Sequence, residues 1–156
     1  NITPSTDAPG NIGELCRLAQ AEGAQVVVIC GAVESEIQEL APEDRKLFLE
    51  DLGLQSSGLE RLAVSGHKLL NLITFFTVGP KEAHAWTCLQ GSLAPQAAGK
   101  IHSDFEKGFI RAEVISYQDY IDCGGEVKAR EKGLLRIEGK TYCVQDGDIV
   151  HFRFNV

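Results

Sequence analysis

The sequence predicts a chain in two parts: the closing piece of a doubly wound α/β domain over residues 1–71, then a small α+β module of the β-grasp type over residues 72–156. In the first part, helical periodicity surrounds one uninterrupted β-branched run at residues 25–30, which is typical of a strand buried on both faces of a parallel sheet. From Leu72 the apolar pattern changes to short strands separated by turns, with short helices among them.

The first part is predicted to be mostly helical. Asn11 can cap a helix that Gly23 ends, and the strand at residues 25–30 follows directly. Ser57 and Glu60 stand at capping-box spacing, so another helix is predicted to begin there. Two acidic helices are predicted between these elements, at residues 34–40 and 42–52.

The second part is predicted to fold around a mixed sheet, because strand-like segments alternate with turns and short helices. The predicted elements are a β-hairpin of residues 72–79 and 83–91, a helix at 95–101, a strand at 109–117, helices at 117–121 and 126–132, paired short strands at 134–139 and 141–144, and a last strand at 149–154.

The composition is that of a globular protein, with 44% hydrophobic residues and a mixed charge pattern. Its apolar runs are too short or too interrupted to span a bilayer, and its polar first residues do not resemble a signal peptide. The five cysteines are odd in number and include no C-x-x-C pair, which argues against a disulfide framework and a zinc ribbon. We therefore expect reduced thiols and no membrane partner.

The chain begins with Asn1 and contains no methionine, so we expect it to be a piece of a longer protein. Its net charge of −7 is uneven: residues 1–71 carry 5 Lys+Arg against 11 Asp+Glu, and residues 72–156 carry 10 against 11. A polyanionic partner is therefore expected to meet the second part, through a local patch.

Residues 95–113 are the richest stretch for a binding site. Lys100, His102, Lys107 and Arg111 place cationic or protonatable groups every few residues, and Gly108 permits a turn before the next strand. These side chains can form one cationic patch that meets RNA. Alternatively, Lys107 and Arg111 pair with neighbouring carboxylates and brace the loop, as the intervening acidic residues Asp104, Glu106 and Glu113 would allow.

Common catalytic motifs are missing from the sequence. It contains no G-x-x-x-x-G-K-[ST] phosphate loop, no G-x-G-x-x-G fingerprint and no G-x-S-x-G elbow. No His/Cys cluster has zinc-ligand spacing, so no metal site and no catalytic residue are predicted.

Long motifs resemble those of the Obg-like ATPase family, YchF type. The similarity is carried by APQAAGKIHSDFEKGFIRAEVISY, EGK-x-Y-x-VQDGDI and the ending FRFNV, and it extends through VVVICGAVESEI and FLEDLGLQSSGLERL. The resemblance implies a parent with a P-loop G domain and a ubiquitin-like β-grasp TGS domain. Such a parent binds and hydrolyses ATP or GTP with Mg²⁺ and associates with ribosomes in the cytoplasm or an organelle stroma, through ribosomal RNA or protein and without DNA.

The resemblance also implies functional residues. Asn1 takes the first position of the family's N-x-x-E base-reading motif, and Cys30, Gly31 and Ala32 take the base-contacting loop. Pro4 stands where the family has glutamate, which removes a carboxylate partner for the base. Lys100, His102, Lys107 and Arg111 are then expected to contact ribosomal RNA.

The phosphate loop, the magnesium-binding residue and the switch regions of the family would lie before Asn1. We therefore expect the chain alone to be inactive and to bind no nucleotide tightly, since phosphoryl transfer depends on those groups. The leading function is the C-terminal piece of a nucleotide hydrolase. The alternatives are a stand-alone TGS module that binds RNA or the ribosome, and a truncated product without activity.

Overall fold

A computed structural model describes residues 10–155 of the chain, which divides into two compact units, one ending at Leu70 and the other beginning at Asn71. In the first unit the helices are α1 (Gly10–Ala21), α2 (Gly31–Glu39), α3 (Pro42–Asp51) and α4 (Gly58–Leu69). In the second unit the elements are β1 (Leu72–Val78), β2 (Ala83–Leu89), α5 (Ala94–Ile101), α6 (Ser103–Lys107), β3 (Phe109–Ser116), α7 (Tyr117–Cys123), α8 (Glu126–Glu131), β4 (Arg136–Glu138) and β5 (Asp148–Phe154). Within this described range, no helix has both the length and the apolarity needed to cross a membrane.

The last helix of the first unit begins where its local sequence signal predicts. Ser57 and Glu60 form the expected capping box of α4: the Ser57 hydroxyl accepts from the Glu60 N–H at 3.1 Å, and the Glu60 carboxylate accepts from the Ser57 N–H at 3.0 Å. Glu34 of α2 also reaches this helix start, since its carboxylate accepts from the Gly58 N–H at 2.6 Å. α1 begins at Gly10, so Asn11 lies within the helix and not at the predicted N-cap position.

The predicted buried strand at residues 25–30 is wrong. These residues have no strand pairing, and Val28 and Ile29 are 43% and 37% exposed. A strand of a parallel sheet exists only if neighbouring strands complete its hydrogen bonds, and the described residues of the first unit contain helices and no strand. Its buried apolar core is correspondingly small, with Ile37 as the one buried hydrophobic residue between positions 12 and 70.

The second unit is built on a five-stranded sheet in the order β2-β1-β5-β3-β4. The central pair, β1 and β5, is parallel, while β1–β2, β3–β5 and β3–β4 are antiparallel. The β1–β2 hairpin, the helix α5 and the strand β3 lie where the period changes predict them. This mixed sheet confirms the predicted α/β and α+β class, and its strand order is that of a β-grasp module.

The sheet has two differently covered faces. Phe75, Val114, Val150 and Phe152 lie in the larger buried cluster on one face, against the fully buried alanines 94, 97 and 98 of α5. On the opposite face a smaller cluster contains Ile115 of β3, Cys123 of α7 and Ala129 of α8. Because side chains alternate along a strand, neighbouring residues of β3 point to opposite faces.

The predicted pairing of short strands at residues 134–139 and 141–144 is wrong. β4 pairs with β3 instead, and Cys143 makes an isolated bridge to Leu93. A buried carboxylate holds the intervening loop: Asp148 is 3% exposed and accepts from the Tyr142 hydroxyl at 2.7 Å and from the Gln145 N–H at 2.9 Å. Hydrogen bonds to the Asp148 carboxylate therefore hold this segment in place of the expected hairpin.

A close backbone approach explains the glycine before β3. Gly108 has a φ of −88°, which any residue adopts, so the turn itself does not require glycine. A Cβ at Gly108 would collide with the backbone carbonyl oxygen of Asn155, whose N–H donates to the Gly108 oxygen at 2.9 Å. The glycine is needed because the chain end after β5 passes directly over it.

Candidate nucleotide-base and RNA-contact sites

The predicted base-contacting loop lies at the start of α2. Cys30 is the residue before the helix and makes no side-chain capping bond, while Gly31 and Ala32 are exposed in its first turn. A Cβ at Gly31 would meet nothing within 4 Å, so the backbone there is open to a planar group. Asn1, the other predicted base contact, lies with Pro4 outside the described residues.

A groove of about 650 Å³ lies beside this loop in the first unit. Its wall is mainly apolar, formed by the run from Val26 to Cys30, with Glu34, Glu60 and Arg61 as charged members. All three charged groups already have partners: Glu34 and Glu60 accept from backbone N–H groups at the start of α4, and Arg61 donates to the Val28 carbonyl at 2.9 Å. The groove therefore offers flat apolar surface and few free polar groups.

No group of three or more His, Cys, Asp or Glu side chains within the described part of the chain is placed to hold a metal ion. The sequence also contains no phosphate loop.

Three of the four predicted RNA contacts lie on the α5–α6 side of the sheet. Lys100 lies in the last turn of α5 and Lys107 is the last residue of α6, and both are exposed without an ion pair to any residue in the described range. His102 joins the two helices, and its Nδ1 accepts from the Asp104 N–H at 3.2 Å. The His102 ring therefore caps the start of α6.

Arg111 does not join these three residues. It belongs to β3, and alternation places it on the sheet face opposite α5 and α6, since its neighbour Ala112 lies in the α5 core. There its guanidinium contacts the Glu113 carboxylate at 3.4 Å. The single predicted patch is therefore divided between two faces, and the bracing alternative describes Arg111 but not Lys107.

Glu113 is the centre of a charged cluster that sequence analysis did not identify. Its side chain is 8% exposed and accepts from Nε and Nη2 of Arg153, both at 3.1 Å. Arg130 of α8 adds a contact at 3.3 Å and also pairs with Glu126 at 2.9 Å. We call Arg111, Arg130 and Arg153, with the carboxylates of Glu113 and Glu126, the Glu113 arginine cluster.

The arginines control the charge of the buried carboxyl. The hydrogen bond from Arg153 holds the pKa of Glu113 below its ordinary value, although burial alone would raise it. The same contact raises the pKa of Arg153. The one signal in the sequence is that Arg111 and Glu113 interrupt an otherwise apolar strand at a spacing of two, which places both on one face.

Comparisons with known proteins follow this division of the chain. A helical unit, followed along the chain by a unit with a five-stranded mixed sheet, defines a mixed α/β protein. The family model YchF-GTPase_C, described as a protein of unknown function (DUF933), matches residues 72–155. The chain therefore belongs to this YchF family, which confirms the resemblance.

Curated relatives match nearly the whole chain. The ribosome-binding ATPase YchF of Bacillus subtilis is 51% identical over 146 residues, covering 94% of this chain and 40% of that protein. The ribosome-binding ATPase YchF of Haemophilus influenzae is 58% identical over 139 residues, covering 89% of this chain and 38% of that protein. The chain thus spans about two fifths of the length of these relatives.

Solved structures share the fold. The Schizosaccharomyces pombe YchF GTPase superimposes with a TM-score of 0.79 at 33% identity, covering 91% of this chain and 38% of that one. A GTP-binding protein from Pyrococcus horikoshii gives a TM-score of 0.64 at 24% identity, over 95% of this chain and 42% of that one. The second likeness concerns the fold alone.

Proposed function

We propose that this chain is the ribosome-binding C-terminal part of a YchF-type ATPase and works in the cytoplasm. Residues 1–71 would end the nucleotide-binding G domain, and residues 72–156 would form the TGS domain that contacts the ribosome. The observation that carries the proposal is the match to ribosome-binding ATPases at 51% and 58% identity over about nine tenths of the chain.

The ribosome contact is proposed to include the α5–α6 surface. Lys100 and Lys107 are exposed at the ends of two successive helices, and within the described residues no carboxylate neutralises them. His102 lies between them and offers a further hydrogen-bonding ring. Exposed lysines without an ion pair attract phosphate as point charges and displace the counterions bound to the RNA, so the contact should weaken steeply with salt.

Co-sedimentation with ribosomes tests this surface. Lys100→Ala combined with Lys107→Ala should reduce the bound fraction and flatten its salt dependence by about one unit of slope per lost phosphate contact. The matched control is Lys81→Ala with Lys140→Ala, which removes the same charge from two exposed turns of the same unit. Unchanged binding of the first variant, or an equal loss in the control, would contradict the assigned surface.

The nucleotide part of the proposal concerns the parent protein. Cys30, Gly31 and Ala32, together with Asn1, would contact the base of ATP or GTP, whose phosphates and Mg²⁺ need groups that this sequence lacks. The chain alone should bind ATP no tighter than about 1 mM, roughly −4 kcal/mol. Titration calorimetry measures this directly, and micromolar ATP affinity would overturn the division of roles.

A second candidate is an independent RNA- or ribosome-binding TGS module. It is favoured by the second unit's own sheet and buried core, which include most of the buried residues in the described range. Residues 72–156 alone would then co-sediment with ribosomes as well as the full chain does. A loss of binding on removing residues 1–71 would favour the ATPase part instead.

A further inference from the structure

The Glu113 arginine cluster contains more positive charge than the buried carboxylate requires. Arg153 alone satisfies Glu113 with two parallel hydrogen bonds, the geometry in which guanidinium and carboxylate fit best. Arg111 and Arg130 approach the same carboxylate through one nitrogen each, at 3.4 and 3.3 Å. Three guanidiniums thus surround two carboxylates.

The arginines remain accessible although the carboxylate is buried. The side chains of Arg111, Arg130 and Arg153 are 50%, 55% and 45% exposed, while Glu113 is 8% exposed. Within the described residues, Nη1 of each guanidinium has no hydrogen-bond partner, so each retains N–H donors that face solvent. The buried carboxylate fixes the three groups in place without using up their donors.

The neighbouring surface suits a nucleic acid more than a carboxylate-rich peptide. Ile137 of β4 is the cross-strand partner of Glu113 and is 67% exposed, so an apolar side chain lies beside the guanidiniums. Guanidiniums bind phosphate oxygens through two N–H groups at once and stack on planar rings, whereas apolar contact with a base or ribose is insensitive to sequence. Three guanidiniums and two carboxylates leave the cluster with a net charge of +1, which a polyanion would complement.

We propose that the Glu113 arginine cluster binds the phosphate backbone of RNA. The site lies on the sheet face opposite Lys100 and Lys107, so the module would contact RNA from two sides. Glu113 is a positioning residue here, and Arg111 and Arg130 make the phosphate contacts. The proposal rests on the proposed ribosome binding for the source of the RNA, but the cluster's affinity for RNA can be measured without ribosomes.

The decisive variant is Arg111→Gln with Arg130→Gln, because it leaves the two bonds between Arg153 and the buried carboxylate intact. The control is Lys128→Gln with Lys132→Gln, which removes the same charge from exposed positions in and directly after α8. Binding of the full chain to a fluorescent single-stranded RNA 20-mer is followed by anisotropy at several salt concentrations, and to ribosomes by co-sedimentation.

The arginine variant should lose about five- to tenfold in RNA affinity, and its salt slope should fall by about one to two units, while the control changes less than about twofold. If the double variant unfolds, the single Arg111→Gln, which breaks the longest contact, should still lower the slope by about one unit. Unchanged RNA affinity, or an equal loss in the control, overturns the proposal. Ribosome binding that falls while RNA binding does not would assign the cluster to a ribosomal protein and also overturn it. Failure of the wild type to sediment with ribosomes would overturn the proposed function alone.

Discussion

Replacing Gly108 with alanine should destabilise the second unit, because the new methyl group would meet the backbone oxygen of Asn155. The backbone angles at Gly108 are ordinary, so the cost is steric and not conformational. Overpacking of this kind costs about 1–3 kcal/mol. Asn155 is also hydrogen-bonded to the Gly108 oxygen at 2.9 Å, and moving it weakens a bond worth about 1 kcal/mol. We expect a total near 2–3 kcal/mol.

The assay is urea or thermal unfolding followed by the fluorescence of Trp86, the single tryptophan, which lies in β2 of the same unit. For a unit of this size the expected loss corresponds to a fall in Tm of roughly 10–20 °C. Gly139→Ala is the control, since a Cβ there meets nothing within 4 Å and its change should stay within about 0.5 kcal/mol. Equal stability of the two variants would refute the steric argument.

Three further predictions combine this fluorescence assay with ultraviolet titration or amide exchange. Glu113→Gln should lower the free energy of unfolding by about 1–3 kcal/mol at neutral pH. The difference from the wild type should shrink as the pH falls below the ordinary glutamate pKa of 4.5, because a carboxyl whose pKa is lowered in the folded state stabilises the protein above its unfolded pKa and loses this effect on protonation. A difference that stays constant with pH would contradict this. Asp148→Asn should lower the free energy of unfolding by about 1–3 kcal/mol, since the Tyr142 hydroxyl and the Gln145 N–H lose a charged acceptor. It should also lower the pKa of Tyr142, which burial and Asp148 raise to about 12. An unchanged ultraviolet titration of the tyrosines would disprove the contact. Residues 72–156 alone should unfold cooperatively, with a Tm within a few degrees of that of the full chain. In the full chain, amide protons of residues 12–70 should exchange faster than those of the second unit, because these residues include just one buried hydrophobic side chain. Uniform protection of both units would count against this.

Local signals in the sequence were sufficient for most elements of the fold. The capping box at Ser57, the two-residue period of β1 and β2, and the helix near Ala97 depend on neighbours within a few positions, and the structure contains all of them. The run at residues 25–30 has equally strong strand propensity, yet it is unpaired. Propensity describes one strand, whereas a strand's hydrogen bonds belong to a sheet.

The cluster around Glu113 could not be predicted, for a related reason. Its partners Arg130 and Arg153 lie 17 and 40 residues away in sequence, and only the pairing of β3 with β5 and the packing of α8 bring them together. Reasoning from sequence spacing assigned Arg111 to Lys100 and Lys107, which are close in the chain but lie on the other side of the sheet. Distance along the sequence predicts contact in a helix or a turn but not across two faces of a strand.

Stability and binding can be assigned to different arginines of one cluster. Arg153 compensates the buried Glu113 through two short hydrogen bonds, so the fold depends on it. Arg111 and Arg130 make longer, single contacts with the same carboxylate and are at least half exposed, so their removal leaves the buried charge paired. A cluster that served the fold alone would need only the first of these arginines. The two others are positioned by the fold without being required by it, and for this reason their N–H donors are available for the RNA contact proposed on this face.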